Sequence, residues 1–200
     1  MIPDYRIQKY IDLVREAPYK MCEEQYQLCD LVEKIFKTED LIVDSRQLDK
    51  YLAFQKYFPF DLLDWEVFCF ALHNCVYKKN GQLRFPVLLI YVGRGAGKNG
   101  YLGFEDFCLL TPVNGIKHYN IDIFAMSEQQ AKTSFNDVYN VLEDNSTFMK
   151  KYFKWTKEVI TNIKTGSQLA FNTSNPKTKD GFRPGKVDFD EYHAYENMKL

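Results

Sequence analysis

Phe85-Pro86-Val87-Leu88-Leu89-Ile90-Tyr91-Val92-Gly93-Arg94-Gly95-Ala96-Gly97-Lys98-Asn99 is the stretch on which the fold turns. Its first half is a continuous uncharged run rich in Val, Leu and Ile, the composition of a strand buried on both faces. A glycine turn follows at once, and 98–110 reads as a helix. Strand, glycine turn and a helix that opens on lysine form the context of a phosphate-binding loop. Successive glycines let backbone amides curl around phosphate oxygens, the helix N-terminus adds its positive dipole end, and Lys98 supplies a point charge for the β and γ phosphates. A turn that merely reversed the chain would not need a lysine at the helix start. Gly93, Arg94, Gly95, Ala96, Gly97, Lys98 and Asn99 are therefore the candidate ATP-binding residues. Two positions depart from GxxxxGK[ST]: Val92 opens the loop, and Asn99 stands where a hydroxyl would face Mg²⁺. The Asn99 carboxamide oxygen can face Mg²⁺ or hold its water.

Working outward, the chain after the loop alternates strand and helix. A strand is expected at 121–126, a helix at 128–142, and strands at 158–164 and 168–173 joined as a hairpin through Thr165-Gly166-Ser167. A polar loop leads to a last short strand at 186–190. Such alternation argues for an α/β domain with a largely parallel sheet. The last strand, Lys186-Val187-Asp188-Phe189-Asp190-Glu191, ends in two adjacent carboxylates, where ligands of α/β folds bind. This is the Walker B pattern: Asp190 would orient Mg²⁺ through water, and Glu191 would position and polarise the attacking water. An acidic strand-end turn is common on its own; a phosphate-binding loop on a separate strand upstream is what gives the pair meaning. Asp188 interrupts the apolar run, so its side chain should face a polar partner or an edge.

Before the loop, 4–79 reads helical, because apolar residues recur at three-to-four spacing. Three helices and a fourth at about 63–77 are expected, with Pro18 after the first, Asp44-Ser45 capping the third and Pro59 stopping it. The division is thus an N-terminal helical region, 1–79, and a P-loop core, 80–200.

Composition agrees with a globular chain: of 200 residues, 46% are apolar and 26% charged. The 26 Lys and Arg against 27 Asp and Glu leave a net charge of −1, so any basic surface must be local. One candidate is 146–186, where nine basic side chains meet only Glu158 and Asp180; phosphate contact or a solvated lysine face would both explain it. The N-terminus lacks a signal-peptide pattern, and no run approaches the roughly 18 apolar residues of a spanning helix, which leads us to expect a cytoplasmic protein with no membrane contact. The five cysteines have neither disulfide nor zinc spacing and read as buried free thiols. His73, His118 and His193 are too scattered for a metal site.

Four segments resemble the N-terminal ATPase domain of the large subunit of tailed-phage terminases, the motors that package DNA into a procapsid. They are Gly93-Arg94-Gly95-Ala96-Gly97-Lys98-Asn99, Ala125-Met126-Ser127-Glu128-Gln129-Gln130-Ala131, Asp180-Gly181-Phe182-Arg183-Pro184, and Asp190-Glu191-Tyr192-His193-Ala194-Tyr195. The first and last are the specific ones. The resemblance implies a RecA-like P-loop ATPase of the additional-strand class, using ATP and Mg²⁺, with Arg94 sensing phosphate. It also implies an aromatic-Gln pair near adenine, for which this chain has Trp65-Glu66. Arg183, in a polar loop, is the second candidate catalytic arginine, acting on a neighbouring subunit or on DNA. Implied partners are double-stranded DNA, the portal protein, the small terminase subunit and further copies in a ring, in the host cytoplasm. Such large subunits carry a nuclease domain and further sheet strands that this chain lacks, so an N-terminal fragment is expected. Another P-loop ATPase such as a helicase, or a non-catalytic binding fragment, would also accommodate the two motifs.

Overall fold

A computed structural model describes residues 2–17, 20–173 and 183–192. The helix-stop at Pro18, most of the polar loop before Arg183, and His193 with the residues after it lie outside the described residues. The chain forms two compact units, one comprising 1–55 and 60–91, the other 56–59 and 92–200.

The first unit is mainly helical. Helix α1 (Tyr5–Glu16) buries Ile7, Tyr10, Ile11 and Val14, the apolar stripe its spacing predicts. Its start is fixed by Asp4, whose carboxylate accepts the Arg6 amide at 2.9 Å and the Arg6 guanidinium at 2.7 Å. Helix α2 (Glu23–Thr38) turns Cys29, Val32 and Ile35 inward. Helix α3 (Ser45–Leu52) is capped by Asp44, as expected, and gives way to a 3-10 turn before Pro59. Helix α4 (Asp64–Cys75) carries buried Phe68, Phe70, Ala71 and Leu72, and Tyr10 lies against Phe68 with ring centroids 4.5 Å apart.

Two short strands in this unit are not foreshadowed by periodicity: β1 (Leu41–Val43) pairs antiparallel with β2 (Val76–Lys78). Three residues are too few to show alternation. The Lys78-Lys79-Asn80-Gly81 turn closes with the Gly81 amide on the Lys78 carbonyl at 2.9 Å, and Arg84 then grips Glu39 through two bonds of 2.6 and 2.7 Å.

The buried strand expected ahead of the glycine turn does not form. Residues 85–92 form no strand, and Val87, Leu89 and Tyr91 are 84%, 79% and 98% exposed. An apolar run supplies a surface that fits a sheet, but ladder partners impose the strand conformation, and no such pairing forms here among the described residues.

The second unit is a mixed α/β layer. Five strands follow the order β4-β5-β6-β3-β7, with β3 (Ile121–Ala125), β4 (Phe153–Trp155), β5 (Val159–Asn162), β6 (Gln168–Thr173) and β7 (Lys186–Phe189). Strand β3 is parallel to β6 and β7, whereas β4-β5-β6 is antiparallel, so the sheet is mixed rather than largely parallel. The hairpin through Thr165-Gly166-Ser167 forms as expected, and β4 extends it.

Helix α5 (Lys98–Leu110) and helix α6 (Glu128–Asp144) pack on each other, and α6 lies on β3 and β6. Ser127 caps α6 by accepting the Gln130 amide. Buried Phe135 of α6 meets Phe171 edge-on, with centroids 5.1 Å apart. At the other end, Phe58 packs edge-on to Phe104 and Phe107 of α5. A one-turn helix, α7 (Ser146–Met149), leads into β4.

Of the cysteines, Cys29, Cys75 and Cys108 are buried, Cys22 is exposed at the start of α2, and none of these four forms a disulfide. Among the described residues no helix is long and apolar enough to cross a membrane.

Candidate phosphate-binding site

The site is built where α5 begins and β7 ends. Gly97 is the N-cap of α5 with φ +94°, and Gly95 has φ +82°. Both lie in the left-handed region that side chains disfavour, and this lets the turn fold tightly into the helix. The space beside Gly93 and Gly95 is open, with nothing within 4 Å of where a Cβ would stand. An open glycine turn running into a thirteen-residue helix suits an anion approaching backbone amides.

Lys98, the first residue of α5, places Nζ 2.7 Å from Asp190 Oδ1 and 3.0 Å from Glu191 Oε1. The two motifs picked out in the sequence therefore converge. Burial works against the Lys98 ammonium, but Asp190 and Glu191 outweigh it and raise its pKa above the ordinary lysine value. Asp190 is 3% exposed. Its amide donates to the Phe124 carbonyl at 2.9 Å, continuing the β3–β7 ladder one step past β7. Its Oδ1 also accepts the Glu191 amide at 2.9 Å. Glu191 follows at φ +51°, an uncommon conformation for a residue with a side chain. Strained backbone of this kind concentrates at functional sites.

The remaining candidates are distributed as follows. Asn99 is half-buried beside Lys98, and Arg94 is exposed in the glycine turn. Arg183 is exposed at the edge of the described residues. Trp65 and Glu66 belong to the other unit, in the first turn of α4. The Glu66 carboxylate accepts the Leu63 amide at 2.7 Å and so caps its own helix.

Asp188 does face a polar partner. It accepts from Lys186 Nζ at 2.9 Å, beside Glu105 at 2.9 Å and Asp106 at 2.6 Å. Lys186 thus leaves the basic stretch of 146–186, its side chain 8% exposed and neutralised from three sides. Lys150, Lys151, Lys154, Lys157 and Lys164 remain exposed. The Asp188 side of the Lys186 cluster is signalled by charges at alternate positions of β7, since Lys186, Asp188 and Asp190 must share one face, whereas Glu105 and Asp106 have no such signal in the sequence.

An Mg²⁺ ion fits the donor set. Mg²⁺ takes one or two protein oxygens and otherwise holds water and phosphate, rather than an all-protein cage. Asp190 is a buried carboxylate just past β7 and Asn99 a half-buried carboxamide in the first turn of α5, oxygen donors of the kind Mg²⁺ takes.

No protein-family model and no curated protein sequence matches the chain. Among solved structures, the crystal structure of the large terminase of bacteriophage HK97 is similar, with a TM-score of 0.56 and 17% identity. The match covers 71% of this chain and 30% of that one, so the chain spans under a third of the terminase's length. Over the matched part, the chain therefore shares its fold with a portion of the HK97 large terminase.

Proposed function

We propose that the chain is the ATP-binding and hydrolysing part of a viral DNA-packaging motor, a RecA-like P-loop ATPase of the additional-strand class. The observation that carries this reading is the meeting of Lys98 with Asp190 and Glu191 at 2.7 and 3.0 Å, at the mouth of an open glycine turn. An arriving triphosphate competes for the Lys98 ammonium. As Lys98 turns to phosphate, Asp190 and Glu191 are released for their own tasks.

Asp190 and Asn99 are the groups that would hold Mg²⁺, which when bound neutralises charge on the β and γ phosphates. Backbone amides of 93–98 bind the phosphate chain, and Arg94 lies in the same turn to meet charge developing on the γ-phosphate. Glu191 orients a water and accepts its proton as the water attacks the γ-phosphorus, while the bond from that phosphorus to the β–γ bridging oxygen breaks and ADP leaves with the electron pair. Arg183 serves a neighbouring subunit or DNA. Double-stranded DNA is the substrate track, with portal protein, small terminase subunit and a ring of copies as partners.

The test is ATP hydrolysis by the natural full-length protein with and without double-stranded DNA. DNA-stimulated hydrolysis is expected, and ATP binding without any turnover under either condition would reduce the chain to a nucleotide-holding module.

A further inference from the structure

Helix α5 and strand β7 are tied to each other twice. At one end the helix lysine, Lys98, meets the strand-end carboxylates Asp190 and Glu191. At the other the strand lysine, Lys186, meets the helix carboxylates Glu105 and Asp106 at 2.9 and 2.6 Å. Early helix meets late strand and late helix meets early strand, so the two elements run in opposite directions. The ties are about 11 Å apart along the helix and about 13 Å apart along the strand, at ~1.5 and ~3.3 Å per residue. Sliding or rotating α5 on β7 would break one tie or both.

The Lys186 tie is a costly way to fill a core. A buried ion pair replaced by well-packed apolar residues is often no less stable, and what charge adds in the best-attested cases is register. Tyr101 steadies the cluster, its hydroxyl donating to Glu105 at 3.0 Å. Lys186 also lies two helical turns from the phosphate loop and so takes no part in phosphate binding itself.

The division of labour between the two elements gives this register its significance. Every phosphate-facing group, from Gly93 to Lys98, belongs to α5 or the turn before it, whereas both carboxylates belong to the end of β7. Once a nucleotide takes the Lys98 ammonium, the site-end tie is gone. We propose that Lys186 is a positioning residue, which by holding Glu105 and Asp106 fixes α5 against β7 and so keeps Asp190 and Glu191 in place over a bound nucleotide. The proposal rests on the nucleotide reading above.

The experiment compares Lys186→Met, Lys186→Arg and the charge-balanced pair Lys186→Met/Asp188→Asn in the natural full-length protein. Affinity for a slowly hydrolysed ATP analogue should stay within about threefold of the parent, because the loop and Lys98 are untouched. Turnover should fall tenfold or more in Lys186→Met, with partial recovery in Lys186→Arg. A folded Lys186→Met that turns over ATP at the parental rate overturns the proposal, as does a parallel fall of binding and turnover with the folded fraction. Should Lys186→Met not fold, the charge-balanced pair carries the same two outcomes. Failure of both to fold also overturns it, by making Lys186 a requirement of folding rather than of placement. If the parent neither binds nor hydrolyses ATP, the nucleotide reading fails alone. The tie is then read by amide exchange, which Lys186→Met should speed in α5 and β7 but not in β4 and β5; unchanged exchange in β7 would overturn it.

Discussion

Lys98 Nζ lies 2.7 Å from Asp190 Oδ1, joining the first residue of α5 to the first residue beyond β7 across 92 positions of sequence. The ammonium is thus held by protein carboxylates at the place where phosphate would draw it. Lys98→Ala should weaken binding of a slowly hydrolysed ATP analogue by two orders of magnitude or more, each charge-assisted bond to phosphate being worth about 1.5–3 kcal/mol. Calorimetric titration checks it, and equal affinities in variant and parent would remove the phosphate-loop assignment.

Glu191→Gln should keep nucleotide binding yet slow turnover in the full-length protein by roughly 10²–10⁴, the range for a general base. The amide keeps the shape of the side chain but does not accept the proton. Single-turnover hydrolysis read beside analogue affinity separates the two effects. Parental turnover in the variant would take the catalytic role away from Glu191.

Gly185 precedes β7 directly beneath the ring of Tyr119, where a Cβ would stand only 2.4 Å from two ring carbons. The Gly185 amide donates to the Asn120 carbonyl at 2.8 Å, which leaves the backbone little freedom to retreat. Gly185→Ala should therefore destabilise the second unit by about 1–3 kcal/mol, the usual cost of overpacking. Adding Tyr119→Ala should recover part of that loss in a thermal-unfolding double-mutant cycle.

Asp4 carries the clearest acid dependence. Burial pushes its carboxyl up, but the Arg6 guanidinium, Ser45 and the Arg6 amide hold it at about 2, against an ordinary value of 3.8. Its folded pKa is depressed, so its contribution is present above the unfolded value and is lost as pH falls from about 4 through about 2. That contribution is about 2 kcal/mol. Asp4→Asn should lower the stability of the first unit at neutral pH by this order and flatten its acid limb, measured by denaturant unfolding between pH 2 and 7.

Legibility in the sequence followed the range of the interaction concerned. Helix α5 and strand β6 lie where the sequence places them, because a glycine cap and a hairpin turn act within a few residues. The convergence of Lys98 with Asp190 and Glu191 was readable because two motifs each had a fixed place on a strand or helix end. Strands β1, β2 and β4 were not readable, since three-residue strands are made by their ladder partners. The Lys186 cluster was half readable: Asp188 announced a polar partner, but nothing local pointed to Glu105 and Asp106 on another element.

The run 85–92 has a practical consequence for handling the protein. Val87, Leu89 and Tyr91 present a row of strand-forming side chains to water, and the whole run carries no charge. Segments of this composition recruit copies of themselves into intermolecular sheets. Solubility of the 200-residue chain should accordingly fall with concentration while its helices stay folded, a signature that light scattering and circular dichroism together would reveal. A single lysine at the most outward positions, as in Leu89→Lys or Tyr91→Lys, should act as a gatekeeper and keep the chain monomeric.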